Sequence, residues 1–223
     1  MAISTDIYTM FYCLFNWFAK ITGWPIRLVC FRTKVYYEDK AVQSRHIRGK
    51  AILISNHTSV FDYPVTMFVF WTRTLRFHMS ELVMNKPVLG VLLRMLGGIF
   101  VDRNTHDYGY MAKSEKILDR GGVVGICPEG RIPLKGEERP LAFKTGAAYL
   151  ALTTDTPVIP MYTNGSYFTF KERARVMIGA PIIPSEVADP ALSDKENIEK
   201  LNHVMREKII SLGTMLNERT KES

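Results

Sequence analysis

His57 and Asp62 stand five positions apart in Asn56-His57-Thr58-Ser59-Val60-Phe61-Asp62. A carboxylate on one imidazole nitrogen fixes the ring's tautomer and leaves the other nitrogen free as a base. Along one continuous helix of 3.6 residues per turn, two such residues would lie about 140° apart. Across a loop-to-helix junction they can meet. The same residues also fit a plainer arrangement, a surface histidine beside an aspartate that caps a helix. Arg103 follows the run Gly98-Ile99-Phe100-Val101-Asp102 and could clamp a phosphate with its planar fork, or pair with Asp102 or another nearby acid. Val123–Cys127 runs straight into Pro128-Glu129-Gly130-Arg131, which puts an acid and an arginine just past a strand, or forms only a structural turn. Lys144 stands near a helix start, as a second phosphate candidate or a solvated lysine.

These residues need elements to carry them. Short β-rich runs are expected at Lys34–Tyr37, Ala51–Ser55, Leu75–Met79, Ile99–Val101, Val123–Cys127, Val158–Tyr162 and Arg175–Ile178. Helical runs fall between them at Asp62–Trp71, Pro87–Leu96, Asp107–Asp119 and Phe143–Leu152. This alternation predicts a single α/β domain, residues 32–223, with a largely parallel central sheet flanked by helices. His57 then sits at a strand's C-terminal end, where open α/β sheets bind ligands. Pro160 within its run argues for an edge strand or a bulge. Ile198, Leu201, Met205, Ile209, Leu212 and Leu216 form a three-and-four stripe that would pack a last long helix onto the sheet.

The first 31 residues differ in kind. They hold eight of the chain's 25 aromatic residues and only three charges, Asp6, Lys20 and Arg27. Gly23-Trp24-Pro25 breaks any helix, and neither half reaches the roughly 20 apolar residues of a membrane span. Two short helices lying in a membrane interface are expected, with a core helix pair and a tilted span as alternatives. Most of the formal charge of +7 lies in residues 1–50, which carry a net +5, largely in the basic strip 32–50 that follows this segment. An apolar anchor followed by a basic strip suits an anionic membrane surface. Nucleic acid is not expected, since the aromatics precede the basic strip rather than interleave with it. Residues 1–19 lack the Lys or Arg of a secretory signal, and three cysteines without a CxxC read as free thiols of a reducing compartment. There is no Walker loop, no Gly-x-Gly-x-x-Gly, no Gly-x-Ser-x-Gly and no metal-ligand spacing.

Four blocks together resemble a known family. His57-x4-Asp62, Gly98-Ile-Phe-Val-Asp-Arg103, Pro128-Glu-Gly-Arg131 and Val158-Ile-Pro160 are similar, in order, to the four blocks of the glycerolipid acyltransferases. The N-terminal segment resembles the two-helix membrane-attachment element of bacterial 1-acylglycerol-3-phosphate acyltransferases. The chain departs from the family at the third block, which usually reads Phe-Pro-Glu-Gly-Thr-Arg. Cys127 replaces Phe, Arg131 stands where Thr is usual, and Ile132 takes the Arg position. The lysine that often precedes Glu-Leu is absent from His78-Met79-Ser80-Glu81-Leu82.

The resemblance implies acyl transfer from acyl-CoA or acyl-carrier protein to the sn-2 hydroxyl of 1-acylglycerol-3-phosphate, giving phosphatidic acid, with no cofactor and no metal. His57 would be the general base and Asp62 its orienting partner. Backbone amides near Pro128–Gly130, or a helix N-terminus, would hold the oxyanion. Glu129 would position the acceptor's glycerol, and Arg103, Gly130, Arg131 and Lys144 would bind its phosphate end. The expected location is the cytoplasmic face of the cell membrane, as a peripheral or monotopic protein. Alternatives are another lysolipid or glycerol-3-phosphate as acceptor, a covalent route through Cys127, and a basic membrane-binding protein without activity.

Overall fold

The computed structural model describes residues 2–105 and 108–221. The chain opens with helix α1 (Ala2–Thr22), a short helical turn α2 (Trp24–Ile26) and a π-helical turn (Arg27–Phe31). Then follow β1 (Lys34–Tyr37), β2 (Ala51–Ser55), α3 (Asp62–Val69), β3 (Leu75–Ser80), α4 (Glu81–Met84) and α5 (Pro87–Met95). Next come β4 (Ile99–Val101), α6 (Gly109–Asp119), β5 (Val123–Ile126), α7 (Gly146–Thr154) and β6 (Val158–Thr163). The chain closes with β7 (Arg175–Ile178), α8 (Pro184–Val187) and α9 (Asp194–Lys221). The predicted start of α6 at Asp107 lies outside the described residues.

The seven strands form one sheet in the order β1-β7-β6-β2-β5-β3-β4. Every neighbouring pair is parallel except β6 and β7. Strands buried on both faces read as near-continuous apolar runs, and all five residues of β2 are buried. Alternate side chains feed two cores. Ala51, Leu53, Phe77 and Met79 join the core beneath α3, while Ile52, Ile54, Val124 and Ile126 join the one beneath α6, α7 and α9. The stripe on α9 packs as its spacing requires. Because β2, β3, β4 and β5 run parallel, their C-terminal ends share one edge of the sheet. His57, Glu81, Arg103 and Pro128 all lie just past those ends.

Pro160 corrects the expectation of an edge strand, since β6 is interior, between β2 and β7. Its carbonyl accepts from the Gly179 amide at 2.9 Å, so its nitrogen also faces the β7 side. The register pairs stop at Met161 with Ile178 and pairing resumes at the isolated antiparallel bridge between Val158 and Ile182, so the missing N–H falls in the gap between them. Helix ends also moved. Lys144 donates its amide to the Pro128 carbonyl at 2.8 Å, which holds residues 143–145 in a loop and delays α7 to Gly146.

The N-terminal segment does break at Gly23, but one helix of 21 residues precedes the break and only short turns follow it. Helix α1 packs Phe15 and Ala19 against the core but leaves much of its apolar surface outside and buries two polar residues. Met10, Leu14, Phe18 and Ile21 point outward, between 58 and 68% exposed, while Asn16 and Lys20 are buried. Asn16 Nδ2 donates to the Leu96 carbonyl at 2.8 Å. Lys20 Nζ donates to the carbonyls of Trp71 and Arg73 at 2.8 and 2.7 Å, and burial brings its pKa down to about 8. No described helix is long and apolar enough to cross a membrane.

Gly125 in β5 faces Phe77 of β3, and a Cβ there would overlap the phenyl ring. Gly125→Ala should therefore cost about 1–3 kcal/mol, read from the urea unfolding midpoint at constant slope.

Candidate active site

The loop after β2 folds around one carboxylate. Asp62, at the start of α3, is buried and carries five hydrogen bonds. Oδ2 accepts from His57 Nδ1 at 2.8 Å, from the Thr58 amide at 2.7 Å and from the Ser59 amide at 3.0 Å. Oδ1 accepts from the Thr58 hydroxyl at 2.6 Å and from the Tyr167 hydroxyl at 2.8 Å. Burial alone would push the carboxyl's pKa up, but the donors outweigh it and hold it below the usual value. An ionised Asp62 keeps the His57 proton on Nδ1. Nε2 is then free of protein partners among the described residues, on a side chain 24% exposed.

His57 lines a cavity of about 980 Å³ that runs across the ends of β5, β3 and β4. Its depth is apolar, walled by Met67, Phe77, Met79, Leu93, Leu96 and Met111. Arg103, Arg131 and Lys144 also line it. The structure therefore brings His57, Asp62, Arg103, Gly130, Arg131 and Lys144 to one cavity.

The arginines are already engaged. Arg103 forms a two-pronged pair with Glu81, Nη2 to Oε1 at 2.9 Å and Nε to Oε2 at 3.2 Å, and donates to the Gly130 carbonyl at 3.1 Å. Arg103 thereby ties the ends of β3, β4 and β5 together. Its acidic partner is Glu81, not Asp102. Arg131 is clamped to Glu137 at 2.7 Å through both nitrogens, so binding a phosphate would require it to leave that partner. Lys144 has no acidic partner among the described residues, and its alkyl chain crosses Gly130, whose φ of +72° and missing Cβ make room for it.

Two expected roles are not where the motif put them. Glu129 does not line the large cavity. Its oxygens accept the backbone amides of His57 at 2.7 Å and Leu141 at 2.8 Å, so it braces the loop that carries the base. The Gly130 amide donates to the Cys127 carbonyl at 3.1 Å and is not open to an oxyanion. The N-terminal end of α7, where Gly146 and Ala147 line the cavity, is one backbone source of positive potential there.

Two other nucleophile or base candidates are quiet. Burial, with Asp62 and Glu129 nearby, raises the Cys127 thiol pKa well above its usual value, which disfavours the thiolate. His78 Nε2 pairs with Ser114 Oγ at 2.8 Å, and burial lowers its pKa to about 4, so it stays neutral. Tyr167, Thr58 and Ser59 were not picked out by motif. Thr58 and Ser59 were legible as a turn ahead of an aspartate. Tyr167 lies 105 positions from Asp62 and left no local signal.

The family model for acyltransferases matches residues 32–164. The chain belongs to that acyltransferase family. It is 27% identical over 166 residues to a 1-acyl-sn-glycerol-3-phosphate acyltransferase of Limnanthes alba, covering 73% of this chain and 58% of the relative. It is also 27% identical over 152 residues to the beta form of that enzyme from Homo sapiens, covering 66% and 54%. The chain thus spans little more than half the length of these relatives. The crystal structure of the 1-acyl-sn-glycerophosphate acyltransferase PlsC from Thermotoga maritima shares the fold, with a TM-score of 0.57 at 21% identity, over 81% of this chain and 73% of that one. Of the residues singled out by the four sequence blocks, His57, Asp62, Arg103, Gly130 and Arg131 line the cavity, whereas Glu129 and the Val158-Ile159-Pro160 block do not.

The Arg103 hydrogen bonds lower the Glu81 pKa from the usual 4.5 to about 2. A depressed carboxyl stabilises the fold above its unfolded pKa and loses that contribution as pH falls through the folded one. Between pH 5 and 2 the wild type should therefore lose this contribution, while Glu81→Gln, already less stable at pH 6, should lose less. Thermal melts across that range measure the difference.

Proposed function

We propose that this protein transfers an acyl group from an acyl thioester to the free sn-2 hydroxyl of 1-acylglycerol-3-phosphate, giving phosphatidic acid. The observation that carries the reading is the His57–Asp62 pair at the mouth of an apolar cavity with a cationic rim. The names of the relatives point to the same acceptor.

The chemistry follows from the placement. Nε2 of His57 takes the proton of the acceptor hydroxyl as that oxygen attacks the thioester carbonyl. Asp62 stays ionised and stabilises the imidazolium that forms. The first turn of α7 faces the developing oxyanion. The tetrahedral intermediate collapses, the carbon–sulfur bond breaks, and the imidazolium returns its proton to the departing thiolate. No acyl-enzyme is needed, and the raised Cys127 thiol pKa argues against one. The acyl chain occupies the apolar depth, and Lys144, which has no acidic partner among the described residues, meets the phosphate first. Arg103 supports it from its pairing with Glu81.

The outward face of α1, with Trp24, Ile26, Leu28 and Val29 beyond it, would seat the protein on the anionic cytoplasmic leaflet. The donor is a CoA or acyl-carrier-protein thioester, and the assay decides between them.

Offered either donor and a panel of lysolipids and glycerol-3-phosphate, the wild type should turn over 1-acylglycerol-3-phosphate best. His57→Ala should lower kcat at least about a hundredfold, and Cys127→Ser should stay within about twofold of wild type. Normal turnover by the histidine variant would remove the general-base assignment, and a large loss in the cysteine variant would revive the covalent route. Replacing Leu14, Phe18 and Ile21 together by serine should release the protein from anionic vesicles in a sedimentation assay. Unchanged sedimentation would contradict this mode of attachment.

A further inference from the structure

Four of the five hydrogen bonds on Asp62 come from its own loop, and the fifth comes from Tyr167 in the loop after β6. Tyr167 has one hydroxyl proton, and an ionised carboxylate can only accept. Tyr167 therefore donates to Asp62 at 2.8 Å, and Thr163 Oγ1 donates to the tyrosine oxygen at 2.8 Å. The result is a relay from Thr163 through Tyr167 and Asp62 to His57.

The tyrosine loop is gripped from two sides. On one side Gly165, at φ +71°, lies against Thr58 so closely that a Cβ would stand 2.7 Å from the threonine's Cβ. On the other side the N-terminal segment holds it. Phe31 meets the Tyr167 ring edge-on, with centroids 6.0 Å apart and planes at 88°. The Phe168 amide donates to the Cys30 carbonyl at 2.9 Å. Phe168 adopts a left-handed φ of 56°, and its ring sits 5.2 Å from Phe31 and 4.5 Å from Phe61. Such a conformation is unfavourable for a bulky residue and persists only where the surroundings impose it.

We propose that Tyr167 is a positioning residue for the His57–Asp62 pair and that Phe31 of the N-terminal segment seats it. The segment offered to the membrane then also holds the partner of the base in place. The claim about catalysis rests on His57 being the general base, whereas the claim about its imidazole does not.

The sign follows from the donor count. Tyr167→Phe keeps the ring against Phe31 but takes one donor from Asp62. The carboxylate charge then falls more heavily on His57, which favours the imidazolium. Among the described residues, the other titratable or charged groups around the pair include Cys127 and Glu129 at the end of β5, Tyr162 of β6 and Arg139 in the loop beyond. The substitution changes none of them.

The test is the His57 titration followed by NMR in the full-length protein in detergent, with the resonance assigned by its loss in His57→Gln. In Tyr167→Phe the midpoint should move to higher pH. Turnover should follow, with kcat about tenfold lower, KM little changed, and the acidic limb of the kcat/KM profile displaced the same way. Should Tyr167→Phe fold poorly, Thr163→Val removes the hydroxyl that donates to the tyrosine and should give a smaller shift of the same sign. An unmoved midpoint in both variants overturns the positioning role. Phe31→Ala should move the midpoint upward as well, and adding it to Tyr167→Phe should change little further. Additive shifts, or none from Phe31→Ala, would show that Phe31 does not act through Tyr167. If His57→Ala retains turnover while the midpoint still moves in Tyr167→Phe, the general-base reading falls and the positioning of the imidazole stands.

Discussion

A buried carboxylate is the constraint on which the rest of the site depends. Asp62 is 2% exposed, and an uncompensated charge at that depth would neutralise itself by taking a proton. The fold keeps it ionised by surrounding it with donors. Those donors fix the path of the loop from Thr58 to Ser59, the rotamer of His57 and the place of the loop after β6. Asn56 adds to this from the other side, pairing its side-chain amide with the backbone of Thr163 at 2.8 and 2.9 Å, so β2 and β6 stay joined beyond their last register pair. One negative charge thus organises segments more than a hundred positions apart.

The positive charges at the same edge are organised differently. Parallel strands bring Arg103, Gly130 and Glu81 together because each follows a different strand of the same set. Arg103 and Arg131 are bound to carboxylates, which leaves the rim ordered with little excess charge. The core of the protein, residues 51–192, carries a net charge of only +2. An anionic group entering this rim would meet Lys144, without an acidic partner among the described residues, and two guanidiniums whose positions are already set. Prior ordering of this kind lowers the conformational cost of binding.

Much of the fold was legible in the chain, and the reasons are local. β1, β2, β4 and β7 have the predicted limits because short runs rich in β-branched and other apolar residues are bounded by polar or turn-forming ones. Helix ends were less legible because remote groups decide them. Lys20 caps carbonyls just past α3, and Pro128 holds the residue before the N-cap of α7. In the site, His57 with Asp62 could be read because their spacing is local. The bracing role of Glu129 could not, since it depends on where the Leu141 amide comes to rest. Nor could the partners of the arginines, since Glu81 and Glu137 look like ordinary surface acids in the sequence.

Helix α1 turns Asn16 and Lys20 inward and Met10, Leu14, Phe18 and Ile21 outward, and this separates two demands on one segment. The inner face, Asn16 and Lys20, is fixed by the carbonyls it must satisfy, because burying those carbonyls without a partner is costly. The outer face touches nothing in the protein that constrains it in the same way. Substitutions on the outer face can therefore accumulate without disturbing the inner contacts that fix the helix to the domain. By the same logic, the apolar surface of this helix is better reduced by repainting that face than by cutting the helix away, which would also remove the Asn16 and Lys20 contacts.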